Sequence, residues 1–226
     1  MMEQVLLVTG GYISISWAKE YLRGKNFAQI VVADGGIRAA KQLGLVAHIL
    51  VGDFDSATEK EVEDYLKWLA EKSCQCELFR LPCHKAVSDT EAALDFLLSH
   101  QQKKGEIHIL GATGTRLDHV LANIHILCKT LKQRISTWIV DEHNRIRLVD
   151  KDTPLSLKKA EQYGKYLSLF PLTTEVTGIC ASGVAYPLWE ATLVQGISLG
   201  VSNEIQEEIA EISVKEGIMI VIESRD

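Results

Sequence analysis

The stretch HILVGDFDSATEKEVEDY, residues 48–65, decides the reading of the fold. An apolar run, Ile49-Leu50-Val51, ends in an acidic turn, Gly52-Asp53-Phe54-Asp55, and a helical pattern begins at once. Thr58 and Glu61 have the spacing of a capping box, in which each side chain satisfies the other residue's backbone N–H. Val62, Leu66 and Leu69 then recur at three and four residues, the period of one helix face. The segment therefore reads as strand, turn and helix. On an extended strand, residues two apart point to one face, so Asp53 and Asp55 are expected to project together, with Gly52 allowing close approach of backbone. Two carboxylates ~4 Å apart repel by ~1 kcal/mol in water and ~4 kcal/mol at an effective dielectric of about 20. A divalent cation turns that penalty into binding, and magnesium suits a few carboxylates together with phosphate oxygens. The competing reading makes Asp55 a helix cap, although Ser56 and Thr58 are better placed for that.

The same alternation extends on both sides. QVLLVTGG, QIVVADGG, ELFRLP and EIHILGATG read as strands, and SISWAKEYLRG, IRAAKQLG, SDTEAALDFLLSHQQKK and LDHVLANIHILCKTLKQ as helices. In the last of these, Leu117, Leu121, Ile124 and Leu127 mark the expected apolar stripe. Alternating strands and helices imply a parallel sheet covered on both faces, with the ligand site along the carboxyl edge. After about residue 135 the rhythm changes. STWIVDEHN, IRLVDK, KYLSLFPLT, TEVTGICA, TLVQGISLGVSNEI, AEISVKEG and IMIVIESRD are strand-like, punctuated by Gly, Pro, Asn and Asp. That composition implies an antiparallel sandwich or barrel. The expected organisation is an α/β parallel-sheet nucleotide domain over 1–133 followed by an all-β sandwich or barrel-like domain over 134–226, the boundary falling near Lys132–Ser136.

With 24 Lys plus Arg against 30 Asp plus Glu, the formal charge is −6, which argues against a nucleic-acid binder. No window approaches the ~20 apolar residues of a spanning helix, so no membrane association is expected. The opening MMEQVLLVTGG has no basic region or cleavage site and does not read as a signal peptide. The five cysteines lack zinc-type pairing and read as reduced thiols of a cytoplasmic protein.

Further candidates end or succeed the other strands. Asp34-Gly35-Gly36 makes a strand-to-helix turn, with Asp34 as a cap or the glycine N–H groups turned to a phosphate. In Gly111-Ala112-Thr113-Gly114-Thr115-Arg116-Leu117-Asp118-His119, Arg116 has the fork geometry to hold phosphate oxygens. Asp118 is equally a helix N-cap, and His119 reads as structural or catalytic. Ser88 and Glu91 match a second capping box, with Asp89 suited to the first turn through the helix dipole. Neither GxxxxGK[ST] nor GxGxxG occurs, so a bound nucleotide uses neither standard phosphate loop.

Taken together, Asp34-Gly35-Gly36, Gly52-Asp53-Phe54-Asp55-Ser56, Ser88-Asp89 and the 111–119 segment resemble the thiamine pyrophosphokinase family in order and spacing, over nearly the whole chain. The resemblance implies transfer of the diphosphoryl group of ATP to the thiamine hydroxyl with Mg2+, giving thiamine diphosphate and AMP. It also implies a homodimer with thiamine at the subunit junction. Carried across, Asp53, Asp55 and Asp89 hold metal or act in catalysis. Asp34, Gly35, Gly36, Ser88, Thr113, Arg116, Asp118 and His119 belong to the nucleotide and phosphate site. Tyr186, in SGVAYPLW, stacks on thiamine, and Ser202 and Asn203 line the same site. An aromatic face suits a cationic thiazolium; read without the resemblance, Tyr186 is sandwich core. One departure stands out: the family usually reads Lys-Asp-x-Thr-Asp where this chain has Lys85-Ala86-Val87-Ser88-Asp89. The missing carboxylate leaves open a related diphosphokinase acting on another hydroxymethyl compound, such as a pterin, or a thiamine or nucleotide binder without turnover.

Overall fold

A computed structural model describes residues 3–55, 57–81, 87–100 and 105–226. The chain divides into two compact units, Met1–Ile126 with Trp138–Glu142, and Leu127–Thr137 with His143–Asp226.

The first unit alternates strand and helix: β1 (Gln4–Val8), α1 (Ile15–Leu22), β2 (Gln29–Ala33), α2 (Ile37–Leu43), β3 (Ile49–Gly52), α3 (Glu59–Glu71), β4 (Glu77–Arg80), α4 (Asp89–His100), β5 (Glu106–Leu110), the first turns of α5 (Leu117–Lys132) and β6 (Thr137–Val140). The strand order is β4-β3-β2-β1-β5-β6. The pairs β1–β2, β1–β5, β2–β3 and β3–β4 are parallel, with Leu6 opposite Ile30 on one side and His108 on the other. Leu6, Leu7, Val8, Val31, Val32, Leu50 and Val51 are all fully buried, as strands covered on both faces require. The expected helix after the acidic turn forms with its capping box intact: Glu61 N–H donates to Thr58 Oγ1 at 3.2 Å, and Thr58 N–H donates to Glu61 Oε2 at 2.8 Å. Its buried face is Val62, Tyr65 and Leu69, with Tyr65 taking a core place that the apolar spacing assigned to Leu66. The α5 stripe divides. Ile124 and Leu127 are buried, whereas Leu117 and Leu121, in the first two turns of α5, are exposed.

The second unit holds two antiparallel groups of strands, β7-β13-β9 and β11-β10-β12-β8. Their ranges are β7 (Asn144–Val149), β8 (Leu155–Lys158), β9 (Tyr166–Pro171), β10 (Glu175–Ser182), β11 (Leu188–Val194), β12 (Ile209–Ser213) and β13 (Met219–Ser224). Strict alternation sets the inward faces. Met219, Val221 and Glu223 are buried along β13, Ala210 and Ile212 along β12, and Leu155 and Leu157 along β8. The expected strand TLVQGISLGVSNEI is not one element. Strand β11 ends at Val194, and turns with left-handed Gly196, Gly200 and Ser202 occupy most of the remaining stretch.

One charge sits in this core. Glu223, 1% exposed, accepts from Arg145 Nε at 2.6 Å and from the backbone N–H of Tyr163 at 2.9 Å. Both carboxylate oxygens are thereby satisfied, which burial of a charge demands. Removing one partner of such a pair strands the other, so Glu223→Ala is expected to cost about 3 kcal/mol. In a chain of this size that lowers the thermal midpoint by about 10 °C, checked by calorimetry or circular dichroism.

Candidate functional site

In the first unit the chain builds outward from β1 to β4 and then returns to place β5 on the other side of β1. Open α/β sheets bind ligands at such a reversal, outside the carboxyl ends of the strands. A cleft of about 450 Å³ lies there, walled by the residues after β1, β2 and β5 and by the start of α4. Beyond the strand ends, Thr9 N–H donates to Leu110 O at 2.8 Å and Gly11 N–H to Gly111 O at 3.0 Å. This contact leaves no room for a side chain, since a Cβ on Gly11 would stand 2.1 Å from Gly111 O. Gly111 itself has φ 78°, a conformation that glycine adopts without strain. The loop continues through Ala112, whose carbonyl accepts from Asn123 Nδ2 at 2.7 Å. Asn123 is buried on α5 and so braces the loop from beneath.

Three acids meet beside this cleft. Asp34 ends β2 as the first residue of a tight turn, with φ 40° and 3% exposure. Gly52, at the end of β3, lies against it; a Cβ there would be 3.1 Å from Asp34 Cβ. Asp89 enters on the first turn of α4, capped by Ser88, whose Oγ accepts the Glu91 N–H at 3.2 Å. One carboxylate oxygen from each of Asp34, Asp55 and Asp89 lies within 4.8 Å of the others. Asp34 Oδ1 is buried with no hydrogen-bond partner among the described residues. Acceptor-only groups that converge around an orphaned oxygen fit a divalent cation, and the hard oxygen donors suit magnesium.

This cluster differs from the expected one by a single member, Asp34 in place of Asp53. The same-face expectation for Asp53 and Asp55 assumes an extended chain, but β3 stops at Gly52 and Phe54 has φ 58°. The turn breaks the two-residue period. Asp53 Oδ1 instead accepts the backbone N–H of Asp55 at 3.3 Å, so Asp53 shapes the loop that presents Asp55.

Of the other expected residues, Gly35, Ser88, Thr113, Arg116 and His119 line the cleft. Gly36 is buried against the Val8 carbonyl. Arg116 is paired with Asp118, its Nε 3.2 Å from Asp118 Oδ1, both side chains exposed. That pairing holds the Asp118 carboxyl below its ordinary range and raises Arg116. Asp118 thus restrains the arginine from within the first turn of α5. Ser56, Lys85 and Ala86 lie outside the described residues.

Gly10, Gly11, Tyr12, Arg38 and Asn123 line the cleft without having been singled out from sequence. Thr9-Gly10-Gly11 repeats the strand-then-glycine pattern of Ala33-Asp34-Gly35, and Asn123 is a polar residue among the apolar positions of α5; both signals are readable. Arg38 carries none.

In the second unit Tyr186 is 71% exposed and Trp189 84%, so neither is sandwich core. Asn203 is buried and clamps the Tyr186 backbone: its Oδ1 accepts the Tyr186 N–H at 2.9 Å and its Nδ2 donates to the Tyr186 carbonyl at 2.8 Å. Ser202 has φ 58°, with its N–H donating to Ser168 Oγ at 3.0 Å.

Comparison with known proteins gives a consistent match. Residues 22–139 match the family model for the thiamin pyrophosphokinase catalytic domain, and residues 153–219 that for the thiamin pyrophosphokinase vitamin B1 binding domain. Thiamine pyrophosphokinase of Bacillus subtilis (strain 168) is 31% identical over 193 residues, 85% of this chain and 86% of the relative. The crystal structure of the Bacillus subtilis enzyme superposes with a TM-score of 0.84 at 28% identity, covering 99% of this chain and 100% of that one. That of thiamin pyrophosphokinase from Geobacillus thermodenitrificans does so at 0.79 and 26%, covering 99% and 98%. The reversal in strand order, the acids gathered beside it and both domain matches lead to one conclusion: this chain belongs to the thiamin pyrophosphokinase family.

Proposed function

We propose that the chain is a thiamine diphosphokinase that moves the diphosphoryl group of ATP to the hydroxyl of thiamine, releasing AMP, with magnesium at the acidic cluster. The observation that carries this reading is the convergence of Asp34, Asp55 and Asp89 beside a glycine-walled cleft, with Asp34 Oδ1 buried and unsatisfied among the described residues. Membership of the family supplies the reaction class.

The hydroxyl oxygen of thiamine attacks the β-phosphorus in line. The bond between that phosphorus and the oxygen bridging to the α-phosphate breaks, and AMP departs with the bridging oxygen. Catalysis of this kind rests on positioning and on countering charge rather than on a covalent enzyme intermediate. Asp34, Asp55 and Asp89 would hold magnesium, which would supply neutralisation of charge on the phosphate oxygens. Asp89 also orients the hydroxyl and accepts its proton. Asp53 keeps the Asp55 loop in shape through its bond to the Asp55 N–H. Arg116, steadied by Asp118, answers charge on the phosphates, and Gly35, Thr113 and His119 form part of the wall against them, with Gly36 buried behind the turn that carries Gly35. Tyr186 offers its exposed ring to the thiamine cation, Asn203 fixes the backbone that carries it, and Ser202 precedes that clamp. Thiamine at the junction of a cytoplasmic homodimer is the arrangement this reading adopts; the exposed Tyr186 and Trp189 favour it. No helix among the described residues is long and apolar enough to cross a membrane.

Incubation of the purified chain with ATP, magnesium and thiamine is expected to yield AMP and thiamine diphosphate in equal amounts, and a pterin alcohol offered instead is expected to yield none. Uptake of ligands without AMP would identify a binder and defeat the proposal. Asp34→Asn, Asp55→Asn and Asp89→Asn are each expected to lower kcat on the order of a hundredfold or more. Asp53→Asn should cost less, about tenfold, because it acts through the loop. Steady-state kinetics on the four variants check the ranking. Neutralising a buried, unsatisfied carboxylate relieves a desolvation penalty, so Asp34→Asn is also expected to raise the thermal midpoint in chelator and to abolish the rise that magnesium gives the unaltered chain.

A further inference from the structure

Two arginines line the cleft, and they are held in different ways. Arg116 is paired with Asp118, two positions on in the first turn of α5. Arg38, on α2, is held from another element: its Nε lies 2.6 Å from Glu61 Oε1 and its Nη2 3.0 Å from Glu61 Oε2. Glu61 is itself fixed, since its Oε2 also accepts the Thr58 N–H at 2.8 Å and the Thr58 hydroxyl at 3.0 Å. The guanidinium plane is thus set by a carboxylate built into the first turn of α3, the helix that begins just after the Asp53–Asp55 turn. Hydrogen bonding to Arg38 is the main cause that lowers the Glu61 carboxyl to about 2. A depressed carboxylate contributes above its ordinary value and is lost only as pH falls toward the depressed one, so the tie persists throughout the neutral range. The charge of Asp34 also reaches Arg38 and helps to raise its pKa.

The pair ties α2 to α3 and at the same time sets the plane of the Arg38 guanidinium in the cleft wall. An arginine fork matches phosphate geometry, and one already fixed in plane loses little side-chain freedom on binding. We propose that Arg38 contacts a phosphoryl oxygen of the nucleotide in this cleft, with Glu61 as its positioning residue. This assignment rests on the reading of the cleft as a nucleotide site.

The test measures binding of ATP and of adenosine, each with magnesium, by calorimetry, together with KM for ATP and for thiamine and the thermal midpoint. Charge-assisted contacts to phosphate predict that Arg38→Ala weakens ATP affinity and raises KM for ATP about tenfold or more. Adenosine affinity and KM for thiamine should stay near those of the unaltered chain. Arg38→Lys keeps the charge but not the fork and should fall between; Glu61→Gln, with the fork still present, should show a smaller loss for ATP alone. Arg38→Ala that binds ATP as the unaltered chain does, or that loses ATP and adenosine alike, overturns the assignment. So does an equal drop in thermal midpoint for Arg38→Ala and Glu61→Gln with ATP affinity unchanged, which marks a tie between helices and nothing more. If the unaltered chain binds no ATP, the nucleotide reading itself falls, and this assignment with it.

Discussion

The first unit is organised around a carboxylate kept in an unfavourable place. Asp34 is almost wholly buried, sits in a left-handed turn and has one oxygen without a partner among the described residues. A buried charge of that kind costs several kcal/mol unless something answers it. The surroundings hold the acid where it is: Gly36 and Gly52 bring backbone against the turn on both sides, and the strands beneath are buried. Folding therefore supplies the work of assembling like charges, and a cation recovers it on binding. The same logic explains why glycines and acids alternate along this edge of the sheet.

Local chemistry made most of the first unit legible. The central strands β1, β2 and β3 are mostly apolar runs, and two helices carry their own start signals, Thr58 with Glu61 and Ser88 with Glu91, readable as caps from their spacing alone. What local chemistry does not carry is the path of an irregular turn. The exchange of Asp34 for Asp53 in the cluster turns on one left-handed residue, Phe54, in a position where a non-glycine residue rarely takes that conformation. Arg38 was invisible for a related reason, since its partner Glu61 lies on a different helix.

The second unit was harder to read because its strands are short and its turns carry much of the structure. Strand β8 is a four-residue Leu-Ser-Leu-Lys whose alternation spans only two periods, and the glycine-rich stretch after β11 resembles a strand in composition alone. Asn203 could be tied to Tyr186 only through the resemblance. The structure adds the physical link: a buried carboxamide replaces two backbone hydrogen-bond partners and fixes the segment on which the exposed ring stands.

Glu61 serves Thr58, Arg38 and the onset of α3 at once. A residue shared by two partners ties their fates in descent: a substitution at any one of the three positions alters the value of the other two. Related chains are therefore expected to vary at positions 38, 58 and 61 in concert.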